Sequence, residues 1–175
     1  MKETLVINLI GGPCSGKSTI AAELFARLKK MGIHCELVSE YIKDRIYEEN
    51  QTMPKNQIAI FGMEHYNISN KLGKVDVIVH DGSFINNIIY KTEENKYFDD
   101  LIISEYKRFW NLDFFIKRGN IEFETYGRIH NLKQSKELDK TIKETYDSYG
   151  LSYIEVESRD AVDKIIPIVL KEINQ

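Results

Sequence analysis

The 175-residue chain carries a formal charge of -3 and contains 42% hydrophobic and 29% charged residues. This is ordinary for a globular domain large enough to build its own core, and the slight acidity argues against a dedicated duplex-DNA binder while leaving room for a local basic groove. Its 2 cysteines, Cys14 and Cys35, have no metal-ligand spacing, no apolar run approaches a membrane span, and the N-terminus lacks a signal layout. The expectation is one domain over residues 1–175, in the cytoplasm.

In chain order, Leu5 to Ile10 reads as a strand and Gly16 to Met31 as a helix, closed by Lys29, Lys30 and Gly32. Cys35 to Val38 is a second strand, Tyr41 to Asn50 a charged helix, and Asn56 to Leu72 a helix opened by Pro54. A third strand, Val75 to His80, stops at Asp81-Gly82. Helices follow over Phe84–Lys91 and Lys96–Trp110, then a strand over Leu112–Ile116. A polar stretch, Lys117 to Asn131, precedes an amphipathic helix over Ser135–Tyr149 with Leu138, Ile142 and Tyr146 inward. Ser152–Val156 is the fifth strand, and a last helix begins near Asp160, with Pro167 expected to kink it. Strands alternating with helices predict an α/β fold, a parallel sheet covered on both faces, with ligands at the carboxyl ends of the strands.

The stretch Gly11-Gly12-Pro13-Cys14-Ser15-Gly16-Lys17-Ser18-Thr19 lies between the first strand and the first helix and fits the pattern Gly, four residues, Gly-Lys-Ser. Its glycines let successive N–H groups point inward as an anion site, and the helix start adds unpaired N–H groups and dipole. Lys17 supplies charge to the terminal phosphates, and the Ser18 hydroxyl is placed to ligate Mg²⁺. A nucleoside triphosphate and Mg²⁺ are therefore the expected ligands. Cys14, near a helix start, reads as a small residue tolerated by the loop or as a redox-sensitive thiol. Cys35 reads as strand filler.

Asp81, closing a strand, reads as the one carboxylate that joins Ser18 in holding magnesium, or as a helix cap. Glu40, just past the second strand, reads as the group that takes the proton of an attacking hydroxyl, or as a surface glutamate. Arg118 and Arg128 frame a lid over about 117–134 that would bring positive charge to the transferring phosphoryl group and exclude water. The bland reading of that stretch is a solvated loop. His130 reads as a lid contact or a cap. Tyr41, Lys43, Arg45, Gln57 and Tyr66 are candidate acceptor contacts, each also readable as a solvated face or core edge. His34, His65 and His80 read as structural.

The phosphate-loop stretch, with Val38 to Asp44 and Asn56 to Phe61, resembles the small P-loop ATPase/kinase proteins found widely in bacteriophages. Those are related to ribosylnicotinamide kinases and, more distantly, to deoxynucleoside and nucleoside-monophosphate kinases. The likeness continues through Val77 to Asp81, Gly127 to His130 and Leu151 to Ile154. It implies a P-loop NTPase fold of nucleotide-kinase type with a five-stranded parallel sheet and a short lid. It also places the protein in the host cytoplasm if it is phage-encoded. Glu40 matches the base of deoxynucleoside kinases, and Asp81 matches the carboxylate opening their Asp-Arg-Ser motif. Here that motif reads Asp81-Gly82-Ser83, which leaves Arg128 or Arg118 to supply the charge.

The expected activity is transfer of the ATP γ-phosphoryl group to a small nucleoside, nucleotide or related acceptor, by a monomer or homodimer. No Asn-Lys-x-Asp motif follows the fourth strand, which favours ATP over GTP. The alternatives are a kinase acting on a nucleic-acid end or modified base, with Lys43, Lys55, Lys71 and Lys74 as a basic groove, and an ATPase switch acting through a protein partner.

Overall fold

The computed structural model describes residues 3–41, 52–119 and 132–174. Lys43, Arg45, Arg128 and His130, and the helix expected over Tyr41–Asn50 beyond Tyr41, lie outside the described residues.

The elements in order are β1 (Leu5–Ile10), α1 (Lys17–Lys30), β2 (Cys35–Val38), α2 (Gln57–Ser69), β3 (Val77–His80), α3 (Asn86–Tyr90), α4 (Lys96–Lys107), β4 (Trp110–Lys117), α5 (Leu132–Ser148), β5 (Ile154–Glu157) and α6 (Ala161–Ile173). The 5 strands form one sheet in the order β2-β3-β1-β4-β5, and every pairing is parallel. The predicted α/β architecture is the observed one.

Side-chain alternation along β1 divides the core into two layers. Leu5, Ile7 and Leu9 face α1 and α6, meeting Leu24, Leu28, Ile165 and Val169. Val6 and Ile10 face the opposite layer, meeting Phe61, Ile88, Ile102 and Tyr146 from α2, α3, α4 and α5. Local signals set the helix starts: Asn56 accepts the Ala59 N–H at 3.1 Å, and Asn95 accepts that of Phe98 at 3.2 Å. Helix α6 runs through Pro167 as one element.

Several boundaries differ from expectation for tertiary reasons. Strand β4 opens at Trp110 because that residue pairs with Leu5, so the preceding helix ends at Lys107. Helix α5 begins at Leu132, and Lys117 belongs to β4, so both ends of the stretch assigned to a lid are regular structure. The helix expected from Phe84 shortens to α3, because a turn comes first in which Ser83 Oγ accepts the Ile85 N–H at 3.3 Å. Strand β5 sits slightly later than predicted, at Ile154–Glu157, in register with Phe114–Lys117.

Candidate active site

The glycine-rich loop joins β1 to α1 at the carboxyl edge of the sheet. Its backbone has positive φ at Gly11 (142°), Cys14 (61°) and Gly16 (96°). Gly16 takes that shape without Cβ strain, whereas Cys14 does not. The Lys17 ammonium donates to the Gly11 carbonyl at 2.6 Å and to that of Gly12 at 3.1 Å, so the cation rests over the loop. Ser18 and Thr19, in the first turn of α1, are exposed, while Ser15 is fully buried with an unpartnered hydroxyl.

Strand order brings the acidic candidates to this loop. The Asp81 N–H donates to the Val38 carbonyl at 2.9 Å, which ties the end of β3 to the end of β2. Asp81 and Glu40 therefore stand at neighbouring strand ends, and β1 with its loop is the next strand over. Asp81 is 4% exposed, and its Oδ1 has no protein partner. It does not cap α3, whose N-cap is Ile85. An exposed hydroxyl and an unpaired carboxylate oxygen are a donor set of hard oxygens that fits Mg²⁺, which keeps most of its water. No cluster of three or more His, Cys, Asp or Glu occurs among the described residues.

Near Glu40 the structure adds buried polar residues that sequence reasoning missed. Glu64, on α2, is buried and accepts from Asn87 Nδ2 at 2.9 Å. Burial pushes its carboxyl up to about 8, against the Asn87 hydrogen bond and with help from the Glu40 charge. Burial also raises the Tyr90 phenol, and the charges of Glu40 and Asp139 push it the same way. Glu40, Glu64, Tyr90 and Asp139 therefore share one electrostatic neighbourhood.

Beneath them a polar row crosses the sheet at a single register, His80 beside Asn8 beside Asp113. Asn8 Nδ2 donates to Asp113 at 2.6 Å and to Asn111 at 3.0 Å, so Asn8 Oδ1 is left to accept from His80 Nδ1 at 3.0 Å. Burial lowers His80 to about 4, which keeps the ring neutral and Nε2 bare. Burial raises Asp113 to about 6, opposed by hydrogen bonds from Tyr106 and Asn8. Around the turn after β3, His80 Nε2, Asp81 Oδ1, Asn86 Oδ1 and Asn87 Oδ1 are all buried acceptors without a protein partner.

The other sequence candidates divide. Tyr41 follows Glu40 directly and is half-buried. Gln57 is buried, and its Nε2 donates to the Pro54 carbonyl at 2.9 Å, at the start of α2. Tyr66 is 63% exposed and lies about 200° round α2 from Glu64, so the structure does not bring it to this group. Arg118 is largely buried, and its Nη2 contacts the Pro13 carbonyl at 3.1 Å and Asp139 at 3.2 Å. His65 pairs with Glu105 at 2.9 Å, away from the loop. A sequence signal for the missed residues did exist. Glu64 interrupts the inward face Ile60, Phe61, Ile68 of α2, and Ser135 and Asp139 precede Ile142 and Tyr146 on one stripe of α5.

Solved structures share this fold across almost the whole chain. Deoxyadenosine kinase from M. mycoides with bound dATP aligns at a TM-score of 0.57 and 17% identity, covering 98% of this chain and 100% of that one. The same kinase with products dCMP and a flexible dCDP aligns at 0.55 and 16%, covering 98% and 99%. Chaetomium thermophilum Kti12 in complex with ADP-AlF3 aligns at 0.52 and 13%, covering 94% and 98%. No curated protein matches the chain. The phosphate loop, the strand-end carboxylates and all of the five-stranded parallel sheet but Leu5 lie within a sequence-family match over residues 6–164, and the chain belongs to that family, described as an AAA domain.

Proposed function

We propose that this protein is a Mg²⁺- and ATP-dependent kinase that transfers the γ-phosphoryl group to a small nucleoside, nucleotide or related hydroxyl-bearing acceptor. The observation that carries the reading is the convergence of the phosphate loop, Asp81 and Glu40 at the ends of adjacent strands. In this reading the loop amides and Lys17 bind the β- and γ-phosphates. Ser18 and Asp81 hold Mg²⁺, which when bound neutralises charge on the phosphates. Glu40 accepts the acceptor's hydroxyl proton as its oxygen attacks γ-phosphorus and the bond to the ADP oxygen breaks. Arg128, and Arg118 in support, supply positive charge to the transferring group. The buried acceptor atoms after β3 suit a substrate that presents hydroxyl or amino donors. The likeness to a deoxyadenosine kinase supports the same class of acceptor, though at 17% identity it carries the fold rather than the substrate.

The test is γ-labelled ATP offered to nucleosides, nucleoside monophosphates, nicotinamide riboside and oligonucleotides. Lys17→Ala is expected to abolish transfer to every acceptor. Glu40→Gln is expected to retain ATP affinity and lose turnover by about 100-fold or more; normal turnover in that variant would remove Glu40 as the base.

A second reading, an ATPase switch acting through a partner, draws on exposed apolar side chains on α2 and α4, namely Ile58, Met63, Tyr66, Tyr97 and Leu101. It predicts hydrolysis that none of the small acceptors alters.

A further inference from the structure

Helix α5 touches the phosphate loop through polar groups where apolar packing would have sufficed. Asp139, 127 positions after Gly12 in the chain, accepts the Gly12 N–H on Oδ1 at 2.6 Å. Its other oxygen lies 3.2 Å from Arg118 Nη2. That nitrogen also donates to the Pro13 carbonyl at 3.1 Å and to Ser135 Oγ. Ser135 Oγ, fully buried, in turn donates to the Pro13 carbonyl at 2.6 Å. Two successive loop residues are thus held, Gly12 by its N–H and Pro13 by its C=O. The approach is close enough to dictate residue type, since a Cβ on Gly12 would stand 2.5 Å from the Ser135 carbonyl oxygen.

We propose that Asp139 is a positioning residue for the phosphate loop, completed by Arg118 and Ser135 into a clasp that holds Gly12 and Pro13 in the shape that aims the following amides at a polyphosphate. The proposal rests on the reading of the loop as a triphosphate site. Its physical basis is the backbone just downstream, where Cys14 and Gly16 both take left-handed conformations. A non-glycine residue persists there only when its surroundings over-determine the local shape. The clasp supplies that constraint from the one side of the loop where Gly12 admits a helix backbone. Arg118 has a second task in the clasp. An unpaired carboxylate beside a polyphosphate would repel it, and the guanidinium offsets the Asp139 charge. Arg118 therefore serves the nucleotide by shaping and neutralising the loop's support.

The test is calorimetry of MgATP, and separately of inorganic tripolyphosphate, which reads the loop without base or sugar. Thermal unfolding of each variant fixes a temperature at which all are folded. Asp139→Ala is expected to weaken tripolyphosphate binding about tenfold, the cost of an unsatisfied loop N–H and a released Arg118. Asp139→Asn, which still offers Gly12 an acceptor oxygen, is expected to recover to within about threefold of the wild type. If both variants bind tripolyphosphate as the wild type does and only melt earlier, α5 supports the fold and the proposal is wrong. Tighter binding in both would show that Asp139 acts only as a nearby negative charge, and would equally overturn it. Should Asp139→Ala fail to fold, Ser135→Ala removes the Pro13 bond alone and is expected to weaken binding about threefold; wild-type affinity in that variant would sink the idea. Wild-type protein that takes up neither MgATP nor tripolyphosphate would instead overturn the kinase reading itself.

Discussion

On the side of the sheet covered by α1 and α6, the inward residues of β1 are aliphatic, and Leu5, Ile7 and Leu9 join an apolar cluster whose one buried polar-capable group is the Cys35 thiol. On the other side the same strand places Asn8 between Val6 and Ile10, and the neighbouring strands answer with His80 and Asp113. Above that row Glu64 and Asn87 form a second buried polar pair. Burying such groups costs free energy that an apolar replacement would avoid, even where each is hydrogen-bonded. The first layer is therefore built for stability. The second concentrates its polar groups toward the carboxyl edge where β2, β3 and β1 end, and where the candidate catalytic residues stand. The two layers should respond differently to the same perturbation.

The largest effect expected belongs to the apolar layer. Leu24, on α1, is fully buried among β1 and α6 side chains. Leu24→Ala should cost about 3–4 kcal/mol, the lost transfer energy plus a residual cavity. The loss should be nearly the same at pH 5 and pH 7, both below the range in which the Cys35 thiol of this layer, raised by burial, titrates. Urea midpoints at both values check it. A loss that varied with pH would mean that the two layers are not separate in energetic terms.

The polar layer should show the converse through Glu64. Its folded carboxyl titrates at about 8, above the ordinary 4.5. Between those values the unfolded chain has already released its proton while the folded chain retains it, so stability falls as pH rises through this window and then levels off. Glu64→Gln removes the titration and keeps an oxygen for Asn87. The variant should match the wild type near pH 4 and exceed it by about 2 kcal/mol at pH 6. His80 works with the opposite sign in a lower window. Its folded value of about 4 lies below 6.5, so stability is gained as pH rises between the two. The difference between Glu64→Gln and wild type cancels that contribution and isolates the carboxyl. A pH-independent difference would show that Glu64 is ionised in the folded state and held by a partner.

The same contrast explains what could be read from the chain alone. The apolar layer and the sheet were legible because strand alternation and helical spacing are local. Leu5–Ile10 and Cys35–Val38 were expected at the bounds observed, and the phosphate loop announced itself as a contiguous motif. Strand β4 shows where local reading stops: Trp110 joins a helix by pattern, yet it pairs with Leu5, and only the sheet register decides. The polar layer was read incompletely for the same reason. Glu64 and Asn87 are 23 positions apart and meet only after α2 and α3 pack. Asp139 reaches Gly12 only because β4 and α5 return the chain to the loop. Polar residues on an inward stripe were the available sign, and such a stripe reveals that something is recruited without saying what it touches.

The smallest effect concerns Cys14, which belongs to neither layer because it lies in the loop between β1 and α1. Its φ of 61° is left-handed, where a Cβ approaches the following carbonyl at a cost of about 1–2 kcal/mol. Two substitutions separate that strain from the thiol. Cys14→Ala keeps the Cβ and loses the sulfur; Cys14→Gly loses both. Glycine adopts this conformation freely but adds backbone entropy to the unfolded chain, worth about 0.5–1 kcal/mol in the opposite direction. The glycine variant should therefore exceed the alanine variant by only about 0.5 kcal/mol, measured as a shift of denaturant midpoint at unchanged slope. If alanine were the more stable of the pair, the loop would not hold this residue left-handed in solution. The strain that the clasp from α5 is proposed to contain would then lie at Gly16, where it costs nothing.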